Sequence, residues 1–304
     1  MSLLVVGSVA YDGVETPYGK VERMLGGAGT YISVSASYFT DVKLVGVVGE
    51  DFDPADEQVL ADHNIDLEGL EKVPGKTFFW SGVYSRNMNE RKTLVTELNV
   101  FADFDPKLPE AYRSTPYAFL GNIHPALQQQ VRSQMASPRF VGGDTMDFWI
   151  GGASEDLARA IRAWDFILIN DSEARELSGE HNLRDAAKKI RRMGPDTVVI
   201  KRGEYGAVLF GPKGYFIAPG FLLETIFDPT GAGDSFAGGF MGYLAQQGVT
   251  DLDDASQAHL RKAMIYGSVM GSFCCERFGL ERLRTISRDD IEQRYQEFKA
   301  FTEF

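Results

Sequence analysis

A glycine-rich segment that leads into a helix carries the residues best suited to chemistry. Residues 228–236 read Asp-Pro-Thr-Gly-Ala-Gly-Asp-Ser-Phe, and apolar residues with helical spacing follow. The backbone N–H groups at or near Gly231, Ala232 and Gly233 would lack acceptors at the start of that helix and would face an anion. The helix dipole favours the ionised form of Asp234 in the first turn. An anion site beside a carboxylate base suits the transfer of a phosphoryl group to a hydroxyl.

The same residues also fit a glycine-rich turn closed by an aspartate helix cap, and physical chemistry alone leaves both interpretations open. The helix itself contains Gly238, Gly239 and Gly242. Each glycine costs about 1 kcal/mol relative to alanine in a helix interior. The combined penalty of about 3 kcal/mol indicates that this helix packs very close to another backbone or to a flat ligand.

Residues 228–236 resemble the C-terminal signature of the PfkB family, the ribokinase-like sugar and nucleoside kinases. The resemblance implies that Asp234 is the catalytic base and that the three glycine-rich amides form the anion hole. It implies ATP as the phosphoryl donor and Asp228 as a possible K⁺ site. The nucleotide contacts that we expect are Lys201, Gly203, Thr230, Gly231 and Gly233.

The elements around this segment alternate between strands and helices, which predicts an α/β fold with a mainly parallel sheet and helices on both faces. We expect the polar run 66–74 to be a connection between elements. Two further segments, about 12–25 and 76–100, read as hairpins. The resemblance implies a single ribokinase-like three-layer domain over residues 1–304, with these hairpins inserted as a small β lid.

The expected acceptor site lies near the first strand. Asp12 follows that strand in a predicted loop, and Gly26 and Gly27 open a helix that contains Tyr31. The resemblance implies that Asp12 binds sugar hydroxyls and that the glycine pair lies near the substrate. Relatives that bind ribose usually carry an asparagine close to the position of Tyr31. This tyrosine is expected either to stack on a base or sugar ring, or to belong to the core.

A second acidic motif follows the strand at 166–169. Asn170 and Glu173 match the Asn-x-x-Glu motif of the family, which implies that they position Mg²⁺ through water. An amide and a carboxylate are oxygen donors of the kind that Mg²⁺ prefers. A helix cap with an acidic first turn is the alternative.

Composition narrows the classes of function. The 304-residue chain has a net charge of −12 and no basic stripe, which argues against binding to nucleic acid. No apolar stretch reaches the length of a membrane span. The chain has two cysteines, at the adjacent positions 274 and 275, and the sequence opens without the pattern of a signal peptide. We therefore expect a cytoplasmic protein with no membrane partner.

Together these features predict an ATP-dependent phosphotransferase acting on an alcohol of a sugar or nucleoside, and we expect that alcohol to be a primary hydroxyl. A nucleoside is slightly favoured, because aromatic residues 31 and 78–80 offer faces on which a base stacks. The alternatives are a free-sugar kinase of the ribose or fructose type, or a non-catalytic nucleotide- or sugar-binding protein on the same scaffold. The aromatic hairpin also suggests a homodimer formed through the lid.

Overall fold

A computed structural model describes residues 1–252 and 256–303, and its strands form one large and one small sheet. The large sheet runs in the order β13 (Gly214–Ala218), β12 (Ala207–Gly211), β11 (Thr197–Lys201), β10 (Phe166–Asn170), β9 (Phe140–Gly143), β8 (Tyr117–Leu120), β1 (Ser2–Val6), β4 (Asp41–Gly49) and β5 (Ile65–Val73). Neighbouring strands from β11 to β5 are parallel, and only the β11–β12 and β12–β13 pairs are antiparallel.

Helices cover both faces of this sheet because its side chains alternate between two cores. In β1, Leu3 and Val5 point to one core, whereas Leu4 and Val6 point to the other. The first core is covered by α1 (Ala28–Ser37), α2 (Pro54–Asp62), α8 (Ala232–Gln247), α9 (Ser256–Cys274) and α10 (Arg288–Thr302). The second is covered by α3 (Pro125–Gln134), α4 (Asp147–Gly152), α5 (Ser154–Ile161), α6 (Asp171–Ser178) and α7 (Leu183–Arg191). The predicted three-layer α/β fold is confirmed.

The small sheet combines two separate segments of the chain. Its order is β3 (Gly19–Gly26), β2 (Ala10–Thr16), β6 (Phe78–Tyr84) and β7 (Arg91–Glu97). The predicted loop around Asp12 is wrong, since this residue lies within β2 and pairs with Met24 of β3. Asp12 is therefore held by the ladder of the small sheet.

The structure bears on two further predicted segments, the run 66–74 and the helix from residue 254. The run 66–74 is not a connection, because residues 65–73 form β5 at the edge of the large sheet. An edge strand with one solvated face needs few apolar residues, and this hid it from pattern reading. The helix predicted from residue 254 begins outside the described residues, which resume at Ser256 within α9.

The glycines of α8 lie where helix backbones meet. A Cβ on Gly238 would lie 2.4 Å from the carbonyl oxygen of Ile32 in α1, and one on Gly239 would lie 2.7 Å from that of Tyr266 in α9. One on Gly242 would lie 3.1 Å from the Cα atom of Ala36. Of the two explanations for these glycines, contact with another backbone is therefore the one observed.

No helix in the ranges 1–252 and 256–303 has both the length and the apolar character needed to cross a bilayer.

We predict that Gly238→Ala lowers the free energy of unfolding by about 1–3 kcal/mol, because the added methyl group overpacks a contact with rigid backbone. Gly151→Ala in α4 is the matched control, since nothing lies within 4 Å of a Cβ at that position. Urea unfolding of both variants measures the difference. Equal stabilities would contradict the close-packing explanation.

Candidate active site

The turn before α8 presents free amides, but not quite the expected set. Gly231 is the N-cap, with φ +75°, a conformation that favours glycine. The Ala232 N–H donates to the carbonyl of Pro229 at 3.1 Å, so this member of the expected anion hole is already bonded. Among the described residues nothing accepts the N–H groups of Gly231, Gly233 or Asp234. The donors facing outward are thus these three amides, and the sequence interpretation had omitted that of Asp234.

Asp234 lies in the first turn of α8, beside a lysine from the large sheet. Lys201, at the end of β11, places its Nζ 3.5 Å from the carbonyl oxygen of Gly233. Burial raises the pKa of Asp234, and the positive charges of Lys201 and Arg91 oppose that rise. The expectation that the helix dipole alone sets its ionisation is therefore incomplete. A carboxylate with a raised pKa is a stronger base than an ordinary aspartate.

Asp12 faces this region from the small sheet. It is 5% exposed, and burial raises its pKa to about 7, with a further rise from the charges of Asp228 and Asp234. The Gly27 N–H donates to it and lowers the pKa. A Cβ on Gly26 would lie 2.1 Å from Asp12 Oδ2. The glycine pair therefore makes room for this carboxyl and bonds to it.

Tyr31 belongs to the core. It is 1% exposed, and its ring lies against Gly231, where a Cβ would be 2.5 Å from the ring atoms. No partner for its hydroxyl exists among the described residues. Its ring therefore supports the turn before α8, and of the two expectations for Tyr31 the core interpretation fits the structure.

Asn170 and Glu173 form a capping box at the start of α6. Asn170 Oδ1 accepts the Glu173 N–H, and Glu173 Oε2 accepts the Asn170 N–H, each at 2.8 Å. Burial raises the pKa of Glu173, and Lys201 is the strongest influence lowering it. The structure therefore shows the helix cap, and Glu173 is also close enough to Lys201 for that charge to lower its pKa.

Asp144 forms a carboxyl cluster with Asp12, Glu173 and Asp234, although the sequence predicts no role for it. It follows β9, is buried, and its Oδ1 has no partner among the described residues. Its pKa lies well above the usual range because of burial and the neighbouring charge of Asp234, and Lys201 opposes this. Its position directly after a parallel strand was the available signal, since such strand ends commonly face ligands.

Asp228 is fully buried between two loops. Its Oδ1 accepts the Thr230 N–H at 2.9 Å, and its Oδ2 accepts the Gly279 N–H at 3.1 Å. Burial raises its pKa, while these hydrogen bonds lower it. Asp228 therefore joins the turn before α8 to the segment that follows α9.

The hairpin β6–β7 contacts two loops of the large domain. Thr230 donates its hydroxyl to that of Tyr84 at 3.1 Å. Asn89, at the hairpin tip, donates to Glu204 Oε1 at 3.0 Å and lies beside Gly203, which has φ +55°. Gly203 is exposed and sits beside Asn89 under the hairpin tip.

The family to which the chain is similar accounts for this fold. The model for the pfkB family of carbohydrate kinases matches residues 2–285. The chain belongs to the PfkB family. This PfkB kinase is a phosphotransferase, as expected from the resemblance of residues 228–236.

Individual relatives act on different acceptors. The cytidine kinase of Thermococcus kodakarensis is 31% identical over 250 residues, covering 79% of this kinase and 87% of that protein. The ATP-dependent ribose-1-phosphate kinase of Halopiger xanaduensis is 26% identical over 269 residues, covering 84% and 81%. The fold matches aminoimidazole riboside kinase from Salmonella enterica with a TM-score of 0.75, at 20% identity, over 97% of this chain and 100% of that one.

We predict that Asp12→Asn weakens the pH dependence of stability. The pKa of this carboxyl is about 7 in the folded protein and 3.8 when unfolded, so its ionisation destabilises the fold progressively as pH rises from about 4 to 7. The variant should therefore gain stability relative to the parent across that range, by at most about 4 kcal/mol. Urea unfolding at pH 4.5 and pH 7.5 (roughly the ends of that window) measures this gain. A pH-independent difference would contradict the burial argument.

Proposed function

We propose that this kinase transfers the γ-phosphoryl group of ATP to a primary hydroxyl of a nucleoside, with Asp234 as the general base. The observation that supports this most directly is the placement of Asp234 beside three free amides and Lys201, with Asp12 opposite. The base takes the hydroxyl proton, and the amides of Gly231, Gly233 and Asp234 stabilise charge on the migrating group.

The remaining residues bind and orient the two substrates. Asp12, held by the Gly27 amide, accepts or donates a hydrogen bond to an acceptor hydroxyl, since its pKa near 7 leaves both forms available. Lys201 supplies donors for the polyphosphate. Thr230, whose N–H and hydroxyl bond to Asp228 and Tyr84, holds the turn that presents the amides, and Gly203 lies beneath the hairpin tip. The hairpin excludes water that would otherwise compete for the phosphoryl group.

A site for Mg²⁺ fits the donor chemistry near Glu173. One oxygen of Glu173 caps α6, and the other, together with the unpartnered Oδ1 of Asp144, offers hard oxygen donors. Within the described residues no three acidic, histidine or cysteine side chains form a complete metal cage. Mg²⁺ usually keeps several waters and binds through one or two carboxylates plus substrate phosphates. Bound there, it would neutralise phosphate charge, with Asn170 orienting Glu173.

We extend the proposal to K⁺ near Asp228. This carboxyl is buried, and the groups of the described chain that lower its pKa are neutral: the side chain of Thr230 and the amides of Thr230 and Gly279. Its oxygens retain acceptor capacity, and a monovalent cation there would offset the cost of burial. Such an ion would brace the turn that presents the anion-binding amides.

The choice of acceptor rests on relatives, because Tyr31 is in the core and no longer argues for stacking. A cytidine kinase is similar over most of the chain, and a second relative, the aminoimidazole riboside kinase of Salmonella typhimurium, is 33% identical over 97 residues. Both act on a base-bearing riboside by name. We therefore propose a nucleoside over a free sugar.

We also propose that two copies associate through the small sheet. All residues of its edge strand β7 are exposed, including Leu94 and Val95, and Leu98 follows them on the surface. An open edge with apolar side chains is suited to pairing with a second chain.

We predict that Asp234→Asn lowers kcat about 10²–10⁴-fold, because the amide cannot accept the hydroxyl proton. ATP binding should persist, since the anion-binding amides remain. The matched control is Asp289→Asn, an exposed aspartate in the first turn of α10. ADP release measures turnover and calorimetry measures ATP binding. Turnover near that of the control would refute the assignment of the base.

We expect ADP release with Mg²⁺ and ATP when a nucleoside panel is supplied, and higher turnover in K⁺ than in Na⁺. Activity on free sugars alone would shift the assignment to the sugar-kinase alternative. Absence of ADP release with every alcohol, despite ATP binding, would favour a non-catalytic binding protein. Equal rates in both salts would remove the K⁺ site and leave the kinase proposal intact.

A further inference from the structure

The hairpin β6–β7 carries an arginine over the carboxyl cluster. Arg91 pairs with Tyr84 across the hairpin, and its guanidinium lies beside the Tyr84 hydroxyl, whose pKa it lowers against the effect of burial. The guanidinium carbon also lies 5.3 Å from the centre of the Trp80 ring. Two neighbours in the hairpin, Tyr84 and Asn89, bond to Thr230 and Glu204. Arg91 thus lies directly opposite Tyr84, at one of the two points where the hairpin contacts loops outside the small sheet.

The charge of Arg91 reaches three carboxyl groups from three different elements. It lowers the pKa of Asp12 in the small sheet, of Glu173 in α6 and of Asp234 in α8, in each case against the larger effect of burial. In the proposed function these groups contact the acceptor, the metal and the migrating proton. The geometry agrees, because Arg91 pairs with Tyr84 and the 3.1 Å hydrogen bond between Tyr84 and Thr230 holds this part of the hairpin against the turn that presents the free amides.

The balance of charge calls for such a cation. Asp12, Asp144, Glu173 and Asp234 surround the site, whereas Lys201 is the strongest positive influence on the last three from the large domain. A triphosphate adds further negative charge to this partly desolvated space, where charge interactions are stronger than in water. Lys201 is fixed against Gly233 at the end of a strand of the large sheet. Arg91 is carried by the hairpin and approaches from the small sheet.

We infer that Arg91 is a catalytic residue whose guanidinium contacts the phosphoryl oxygens during transfer, an inference that rests on the proposed kinase function. In that step the acceptor oxygen forms a bond to phosphorus while the bond from phosphorus to the β–γ bridging oxygen breaks. The acceptor proton passes to Asp234, and ADP leaves with the electron pair of the broken bond. The planar, multidentate guanidinium suits the spread of charge over the phosphoryl oxygens.

The test compares Arg91→Ala, Arg91→Lys and Lys92→Ala. Lys92 is the matched control because successive strand residues point to opposite faces, and it is likewise exposed. We expect Arg91→Ala to lower kcat about 10²–10³-fold, as for the loss of one oxyanion donor. ADP affinity should stay within about twofold, whereas affinity for ADP with aluminium fluoride and acceptor, a mimic of the transferring group, should fall by roughly the factor lost in kcat. Arg91→Lys should recover only part of the loss, because an ammonium group is not bidentate.

Added guanidinium at non-denaturing concentration should restore activity to Arg91→Ala but not to Asp234→Asn. If Arg91→Ala keeps the kcat and mimic affinity of Lys92→Ala, the inference is wrong while the kinase function stands. If kcat falls but mimic affinity is unchanged and guanidinium gives no rescue, Arg91 only supports the hairpin and the inference also fails. If the parent protein turns over no acceptor, the proposed function is wrong. The role of Arg91 is then tested by binding alone: weaker affinity of Arg91→Ala for the mimic supports it, and unchanged affinity contradicts it.

Discussion

The approach of α8 to α1 and α9 at backbone distance is the constraint on which the site depends. Gly238 and Gly242 admit the backbone of α1, and Gly239 admits that of α9. The helix is consequently fixed on two sides, and so is the turn that precedes it. The Tyr31 ring completes this arrangement by filling the space against Gly231. The free amides and Asp234 are therefore presented by a rigid support rather than by a flexible loop.

Around this support the protein gathers carboxyl groups in numbers that would be unfavourable without compensation. Each is stabilised differently. Asp228 relies on two amides, Glu173 on a helix cap and Lys201, and Asp12 on the Gly27 amide. Asp144 has an oxygen with no partner in the described residues. Buried carboxyl groups of this kind gain most from a bound cation or an incoming hydrogen-bond donor, so the free-energy cost of burying them favours substrate binding.

Much of the site could be predicted from sequence because its residues are local to strong signals. The turn before α8, the cap at Asn170 and the strand end at Lys201 all follow from spacing and residue type. Residues brought in by long-range packing escaped prediction. Asp144 follows an ordinary short strand, and Arg91 lies in a polar hairpin whose sequence says nothing about where its tip docks.

The misassigned elements have the same physical origin. The edge strand β5 fully buries only Ile65 and Gly69 of its nine residues, so its composition resembles that of a loop. The loop prediction for Asp12 assumes that a loop follows β1. Instead, the chain enters the small sheet at Ala10, a few residues after β1 ends. Tyr31 shows a different limit of prediction from sequence. An aromatic residue near a substrate motif has the same sequence pattern whether its ring faces a ligand or the core.

The parallel pairing of β2 with β6 has a consequence for how the chain folds. Ala10 pairs with Phe78, and α1, β4, α2 and β5 all lie between these strands in the sequence. Closing so long a loop is entropically expensive unless the intervening elements have already condensed. The small sheet is thus expected to assemble after the β1–β4–β5 portion of the large one. Nascent chains would then acquire a docked hairpin, and with it catalytic competence, only as a late event in maturation.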